Sequence, residues 1–156
     1  MTYEAFHDEL RDTRLPLNNG AGSMPAVGFG TLLRDLDTTA EAVKCALETG
    51  FRHFDCAERY RNEDKIGMAF QQAFTVGSIR REDVFITTKL WNTNHRPERV
   101  KPAFEASCQR LRVDYIDRFR PECCSSAPCP HKRLRPSCQA SGPAPFSSCS
   151  CCSPSR

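Results

Sequence analysis

The stretch Val84-Phe-Ile-Thr-Thr-Lys89 indicates the fold class of this chain more clearly than any other. Its apolar and β-branched residues follow one another without the strict alternation of a half-exposed strand. Runs of this kind are typical of parallel strands that helices cover on both faces. We therefore predict a buried strand here, within a sheet that other β-α units complete.

Strand and helix patterns alternate on both sides of this stretch. Apolar residues recur at helical spacing between the strand-like segments, and glycines stand where the helices should end. The predicted elements, in chain order, are a strand at 26–31, a helix from Thr38 or Thr39 to Gly50, a strand at 51–57, a helix from Asn62 to about Gly77, the strand at 84–89 and a helix at about 97–111.

The pattern predicts an α/β protein with about three and a half β-α units. Tyr115-Ile116 begins what should be a fourth strand, but Arg118, Arg120 and Pro121 interrupt it where an inner strand needs apolar residues. Right-handed crossovers allow either an open doubly wound sheet or a closed barrel. The sequence Gly28-Phe-Gly-Thr31 lacks the third glycine of a dinucleotide-binding turn, so we favour the barrel.

Three polar residues lie at or just beyond the carboxyl ends of the predicted strands, which is where barrels carry their chemistry. They are Asp55, Tyr60 and Lys89. A tyrosine hydroxyl has an ordinary pKa of about 10, so proton donation near neutral pH needs help from a nearby positive charge. Plainer roles are open to each residue taken alone: a turn cap for the aspartate, packing for the tyrosine and a solvated charge for the lysine.

Taken together, the motifs resemble those of the aldo-keto reductases. The resemblance rests on Gly28-Phe-Gly-Thr31, Phe54-Asp-Cys-Ala-Glu-Arg-Tyr60 with Asn62-Glu63, and Ile86-Thr-Thr-Lys-Leu-Trp91, in that order, and covers roughly residues 15–117. It implies the N-terminal portion of a (β/α)8 TIM barrel. It also implies NADPH-dependent reduction of aldehydes and ketones to alcohols by a tetrad of Asp, Tyr, Lys and His.

The resemblance assigns catalytic roles to three of the residues above. Tyr60 would donate the proton, Lys89 would favour the tyrosinate by its charge, and Asp55 would hold the lysine in place and keep it charged. Hydride would come from the nicotinamide, so the protein would supply orientation and electrostatics.

The resemblance also implies where cofactor and substrate bind. Gly30, Thr31 and Asp55 would lie beside the nicotinamide end of NADPH. Trp91 either lines the pocket of a small carbonyl substrate or belongs to the core, and the residues alone leave both open. His95 follows in a helix-entry loop, where a solvated or capping role is expected.

The segment after Asp117 departs from the family pattern. The family's catalytic His should end the fourth strand, and counting without gaps places Glu122 there; some steroid double-bond reductases of the family carry Glu at that place. With the later cofactor-binding strands also missing, we predict a chain that is truncated and inactive as a monomer. A half barrel would leave the edge of its third strand unpaired, which predicts aggregation or association through that edge.

The remainder of the chain has a different composition. Seven of the ten cysteines and seven of the eleven prolines follow Arg120. Abundant Ser and Pro with few large apolar groups predict disorder. We divide the chain into an N-terminal extension at 1–14, a partial barrel at 15–117 and a Cys-, Pro- and Ser-rich tail at 118–156, as a shifted reading frame or an alternative exon would produce.

The alternative interpretation is a small binding or interaction protein with a Cys-rich tail that binds zinc. The candidate ligands are Cys123, Cys124, Cys129, His131 and Cys138, or Cys149, Cys151 and Cys152. Their spacing fits no paired Cys-x2-Cys arrangement, so the predicted sites include no metal.

Charge and hydropathy exclude several other classes. The net charge of +3 is spread along the chain, so we expect no nucleic-acid partner. No apolar run long enough for a signal peptide or a membrane span is present, so we expect no membrane association. A reducing, cytoplasmic location is the default, and the cysteines are then not read as a disulfide framework.

Overall fold

The computed structural model describes residues 12–20, 22–33, 35–77 and 79–122. Within these ranges the chain forms six strands, three α-helices and three short 3-10 turns. The strands are β1 (Arg14–Pro16), β2 (Ser23–Pro25), β3 (Phe29–Gly30), β4 (His53–Asp55), β5 (Phe85–Leu90) and β6 (Arg118–Pro121). The helices are α1 (Thr39–Glu48), α2 (Glu63–Val76) and α3 (Pro97–Leu111), and the 3-10 turns are Glu58–Tyr60, Arg81–Asp83 and Asn92–Asn94.

Four of the strands form one parallel sheet in the order β3-β4-β5-β6. Each step along the sheet passes through a helix, as the strand-helix rhythm predicts. The other two strands, β1 and β2, form an antiparallel hairpin. The predicted α/β class is confirmed, and the carboxyl ends of the four parallel strands lie together at one edge.

The hydrophobic core lies between the sheet and the helices. Phe54 at the centre of β4 and Ile86 on β5 are fully buried. The Phe54 ring meets Phe70 of α2 edge-on, with 5.2 Å between the centroids, and Val43 and Leu47 of α1 belong to the same cluster. Because side chains alternate along a strand, the neighbours of Phe54 on β4 face the opposite, inner side of the sheet.

Most predicted helix boundaries are confirmed. The third helix spans Pro97–Leu111 as expected. Gly50 and Gly77 follow α1 and α2 with φ of 101° and 78°, the left-handed conformation in which glycine ends a helix without a Cβ clash. Asn62 precedes α2 at its N-cap, but its side chain makes no capping bond.

The first two strands are shorter than predicted, because part of the first belongs to the hairpin. The Ala26 N–H donates to Thr13 O at 2.9 Å, so the chain joins the parallel sheet only from Phe29. β4 likewise covers His53–Asp55 instead of 51–57. The hairpin was not predicted, and its first strand begins inside the expected 1–14 extension.

The expectation that regular structure breaks after Asp117 is wrong for the next four residues. Arg118–Pro121 forms β6, which pairs in parallel with β5, so the outer edge of the third predicted strand is not free. The Arg-Phe-Arg sequence suits this position because it alternates. Phe119 packs its ring edge-on against Phe104 of α3 at 5.4 Å, while Arg118 and Arg120 are exposed.

The predictions for the tail fall outside the described residues from 123 onward, and most of the 1–14 extension does so as well. In the described ranges, no helix is both long and apolar enough to span a bilayer.

Candidate active site

Lys89 brings the predicted catalytic residues together. Its Nζ donates to Asp55 Oδ2 at 3.0 Å, to the Tyr60 hydroxyl oxygen at 2.9 Å and to Cys56 O at 2.9 Å. The lysine side chain is only 6% exposed, whereas that of Asp55 is 40% exposed. Three hydrogen bonds therefore use all three ammonium hydrogens, and the cluster opens to solvent on the aspartate side.

Local backbone geometry explains why Tyr60 reaches the lysine. After β4, the Cys56 N–H still donates to Thr87 O of β5 at 2.8 Å. The chain then makes the 3-10 turn Glu58–Tyr60, and Arg61 takes a left-handed conformation with φ of 57° before α2 starts. This tight turn returns Tyr60 to the sheet beside Lys89.

Opposing effects act on the charge of Lys89. Burial lowers the pKa of its ammonium. The hydrogen bonds to Tyr60 and Asp55 and the negative charge of Asp55 raise the pKa by more than burial lowers it, so the pKa lies above its ordinary value. The lysine therefore stays protonated at neutral pH. Because the Tyr60 oxygen accepts from Lys89, the Tyr60 O–H remains available to donate to another acceptor.

Gly30 and Thr31 stand next to Asp55. Thr31 Oγ1 donates to Asp55 O at 2.9 Å, and Asn62 Nδ2 donates to Thr31 O at 2.7 Å, so the end of the first parallel strand is fixed from both sides. A Cβ built on Gly30 would meet no atom within 4 Å, so the space beside it is open. The Gly30 backbone is therefore accessible next to the partly exposed Asp55 carboxylate.

Trp91 lines a cavity instead of filling the core. It is half-buried and shares a cavity of about 390 Å³ with Glu58, Arg59 and Arg61. The Arg59 guanidinium carbon lies 5.2 Å from the Trp91 ring centroid. A solvated or capping role was predicted for His95. Its Nε2 lies 3.3 Å from Leu90 O.

Glu63 belongs to the Asn62-Glu63 part of the family motif, but its buried structural role was not predicted. It is 1% exposed and contacts Thr88 of β5 and both Ser107 and Arg110 of α3. The only signal for it in the sequence was its position directly after Asn62, since neither periodicity nor charge distinguishes it. In the described part of the chain, no group of three or more His, Cys, Asp or Glu side chains is arranged to hold a metal ion.

A parallel sheet covered by helices, with Lys, Tyr and Asp side chains meeting at the carboxyl ends of its strands, is the arrangement of an α/β barrel with its site at the C-terminal face. The aldo/keto reductase family model matches residues 26–123, and the chain belongs to this family. The predicted fold class, the N-terminal part of a (β/α)8 barrel, is thereby confirmed.

Comparison with individual proteins gives the same family. The chain is 42% identical over 109 residues to aldo-keto reductase family 1 member C18 of Rattus norvegicus, covering 68% of this chain and 33% of the relative. It is 45% identical over 105 residues to the NAD(P)H-dependent D-xylose reductase of Scheffersomyces stipitis, covering 67% and 33%. A crystal structure of a Bombyx mori aldo-keto reductase in complex with NADP superposes with a TM-score of 0.65 at 36% identity, covering 69% of this chain and 36% of that one. The chain spans about a third of the length of the curated relatives it matches.

Proposed function

We propose that the cluster of Asp55, Tyr60 and Lys89 is the proton-donating part of an NADPH-dependent carbonyl reductase site, with small aldehydes and ketones as substrates. The observation that carries this proposal is the Lys89 ammonium held 2.9 Å from the Tyr60 oxygen. A positive charge at that distance stabilises the tyrosinate that forms when the hydroxyl proton moves to a developing alkoxide.

Gly30, Thr31 and Asp55 would hold the nicotinamide end of the cofactor. When bound, NADPH supplies the hydride in this class of reaction. Asp55 has a second function, because its carboxylate also accepts from Lys89 and so keeps the ammonium aimed at Tyr60. Trp91 would form one wall of the substrate pocket.

We further propose that this chain is inactive as a monomer. Support comes from the segment after the fourth parallel strand, where Glu122 stands at the place of the family's catalytic His. The described histidines are engaged elsewhere: His53 Nε2 lies 3.1 Å from Thr87 Oγ1, and His95 contacts Leu90 O. Without the fourth member, proton transfer loses a group of the kind that contributes about 100- to 10,000-fold to rate.

Cofactor binding and turnover are tested separately on the full chain. NADPH fluorescence is titrated with wild type, Tyr60→Phe and Lys101→Gln, the last an exposed residue on α3. We expect equal NADPH binding in all three and no oxidation of NADPH with an aromatic aldehyde. If wild type turns over and Tyr60→Phe does not, the proposed catalytic site is supported and the proposed inactivity is refuted. If wild type fails to bind NADPH, the cofactor proposal is refuted.

Association between chains is a further part of the proposal. Among the described strands, β6 forms one edge of the parallel sheet and offers its backbone to another chain. Arg118, Arg120 and Pro121 weaken such pairing, because charge and a missing N–H both disfavour strand addition. The association should therefore be weak and should appear only at high protein concentration. Sedimentation over a range of concentrations measures it, and a species that stays strictly monomeric would contradict it.

The alternative function is a binding or interaction protein whose Cys-rich tail holds zinc in a reducing, cytoplasmic location. It is favoured by the seven cysteines that follow Arg120. The three described cysteines, Cys45, Cys56 and Cys108, are free thiols as well. Native mass spectrometry decides it: stoichiometric zinc supports this function, and a metal-free chain refutes it.

A further inference from the structure

Two arginines flank Tyr60 in the chain and line the same cavity. Arg59 and Arg61, with Glu58 and Trp91, line an open surface pocket of about 390 Å³. Tyr60 lies between them in the turn that leads to α2. The residues on both sides of the proposed proton donor in the chain therefore contribute to this pocket.

The charges of this cavity favour an anion. Arg59 lies over the Trp91 ring, with its guanidinium carbon 5.2 Å from the centroid, which leaves guanidinium N–H groups free to donate. Neither Arg59 nor Arg61 forms an ion pair with another described residue. Glu58 accepts a hydrogen bond from Asn94 Nδ2 at 3.3 Å, so its carboxylate already has a partner. Two positive groups against one negative group leave the lining cationic.

The backbone holds both arginines in place. Arg61 has φ of 57°, a left-handed conformation that costs a non-glycine residue about 1 kcal/mol. Its N–H donates to Glu58 O at 3.1 Å, which closes the turn. The turn that returns Tyr60 to Lys89 therefore also sets the backbone positions from which the two exposed arginine side chains extend.

We propose that Arg59, with Arg61, binds the carboxylate of a small carbonyl substrate, so that the substrates of this site are oxo-acids or aldehydes that carry a carboxylate. The inference rests on the proposed role of Tyr60, since a carboxylate held over Trp91 would leave the carbonyl end of the same molecule free to reach the tyrosine hydroxyl. Planar guanidinium groups bind carboxylates in bidentate fashion, which fixes orientation as well as charge.

Trp91 gives a direct measurement of binding, because it is the single tryptophan of the chain. Its fluorescence is titrated with 4-carboxybenzaldehyde and with the neutral methyl 4-formylbenzoate, in the absence of cofactor. We expect saturable quenching by the acid, with an affinity at least about tenfold above that of the ester. Arg59→Gln should lower the affinity for the acid about tenfold and leave the affinity for the ester unchanged. Arg61→Gln should act in the same direction. Lys101→Gln, an equal change of charge on α3, should have no effect.

The outcomes separate this inference from the proposed function. Equal affinities for acid and ester, or an Arg59→Gln chain that binds the acid normally, would overturn it. NADP⁺ that displaces the acid would also overturn it, because the arginines would then bind cofactor phosphate. Tyr60→Phe removes the carbonyl partner from acid and ester alike, so the ratio of their affinities should be unchanged, and carboxylate recognition is tested without any turnover being observed. Circular dichroism of each variant checks that the fold is unchanged.

Discussion

Arg110 Nη2 lies 2.8 Å from Glu63 Oε2, and this ion pair joins the first turn of α2 to the last turn of α3. Thr88 Oγ1 donates to the other carboxylate oxygen at 2.6 Å, which connects both helices to β5. Thr88 immediately precedes Lys89 but faces the opposite side of the sheet. The buried network thus supports the strand that carries the lysine.

Replacing Glu63 by Ala should destabilise the chain strongly. The substitution leaves the buried hydroxyls of Thr88 and Ser107 and the guanidinium of Arg110 without their shared acceptor. Because the Arg110 side chain is 36% exposed and can turn to water, we expect a cost of about 2–3 kcal/mol in the free energy of unfolding, less than for a fully buried pair. Denaturant unfolding measures it, with Glu105→Ala, half of an exposed pair with Lys101, as a control expected within about 0.5 kcal/mol. Equal values for the two variants would contradict the network.

Gly67 and Gly30 should respond in opposite ways to alanine. A Cβ on Gly67 of α2 would lie 2.1 Å from Arg110 O and 2.8 Å from Leu111 C, so the helices would have to separate. We expect Gly67→Ala to cost about 1–3 kcal/mol despite the better helix propensity of alanine. Gly30→Ala meets open space, so it should keep the stability and weaken NADPH binding. Thermal melts and NADPH titrations of both variants test this, and a stable Gly67→Ala chain would refute the close packing.

Cys56 should resist alkylation while the chain is folded. It is fully buried, and burial raises the pKa of its thiol to about 12, so almost no thiolate forms at neutral pH. Cys45 is exposed and should react quickly with iodoacetamide. Peptide mass spectrometry with and without denaturant compares the two sites. Equal reactivity under native conditions would mean that the core around Cys56 is molten.

His53 should make stability fall on mild acidification. Burial lowers the pKa of its imidazole below the ordinary value of about 6.5, so the unfolded chain binds the proton more readily than the folded chain. The contribution of His53 is therefore complete above about pH 6.5 and decreases as pH falls toward its folded pKa. We would measure the free energy of unfolding at pH 7.5 and 5.5, about one unit on either side of the ordinary imidazole pKa. The two values should differ less for His53→Gln than for wild type. An unchanged pH dependence would contradict this.

Residue order was sufficient to predict the α/β class and the candidate site. The run at 84–89 and the glycines after two helices are local features, and local features are readable from sequence. Asp55 and Lys89 are 34 positions apart, and the resemblance of their motifs to a known family linked them. β6 was missed because its Arg-Phe-Arg-Pro residues do not look like an inner strand. Its pairing depends on the free edge of β5 and on Phe104 of α3, which are distant in sequence.

The amino-acid sequence by itself predicted the parallel α/β fold from its periodicity, and it predicted the family and the meeting of Asp55 and Tyr60 with Lys89 from the resemblance of its motifs. Only the tertiary structure decided that Glu63 is buried between two helices and a strand, and that Arg59 lies over Trp91 beside Tyr60. Charged residues take such roles according to the partners that folding brings within a few ångströms, and those partners are separated by up to 47 positions in the chain.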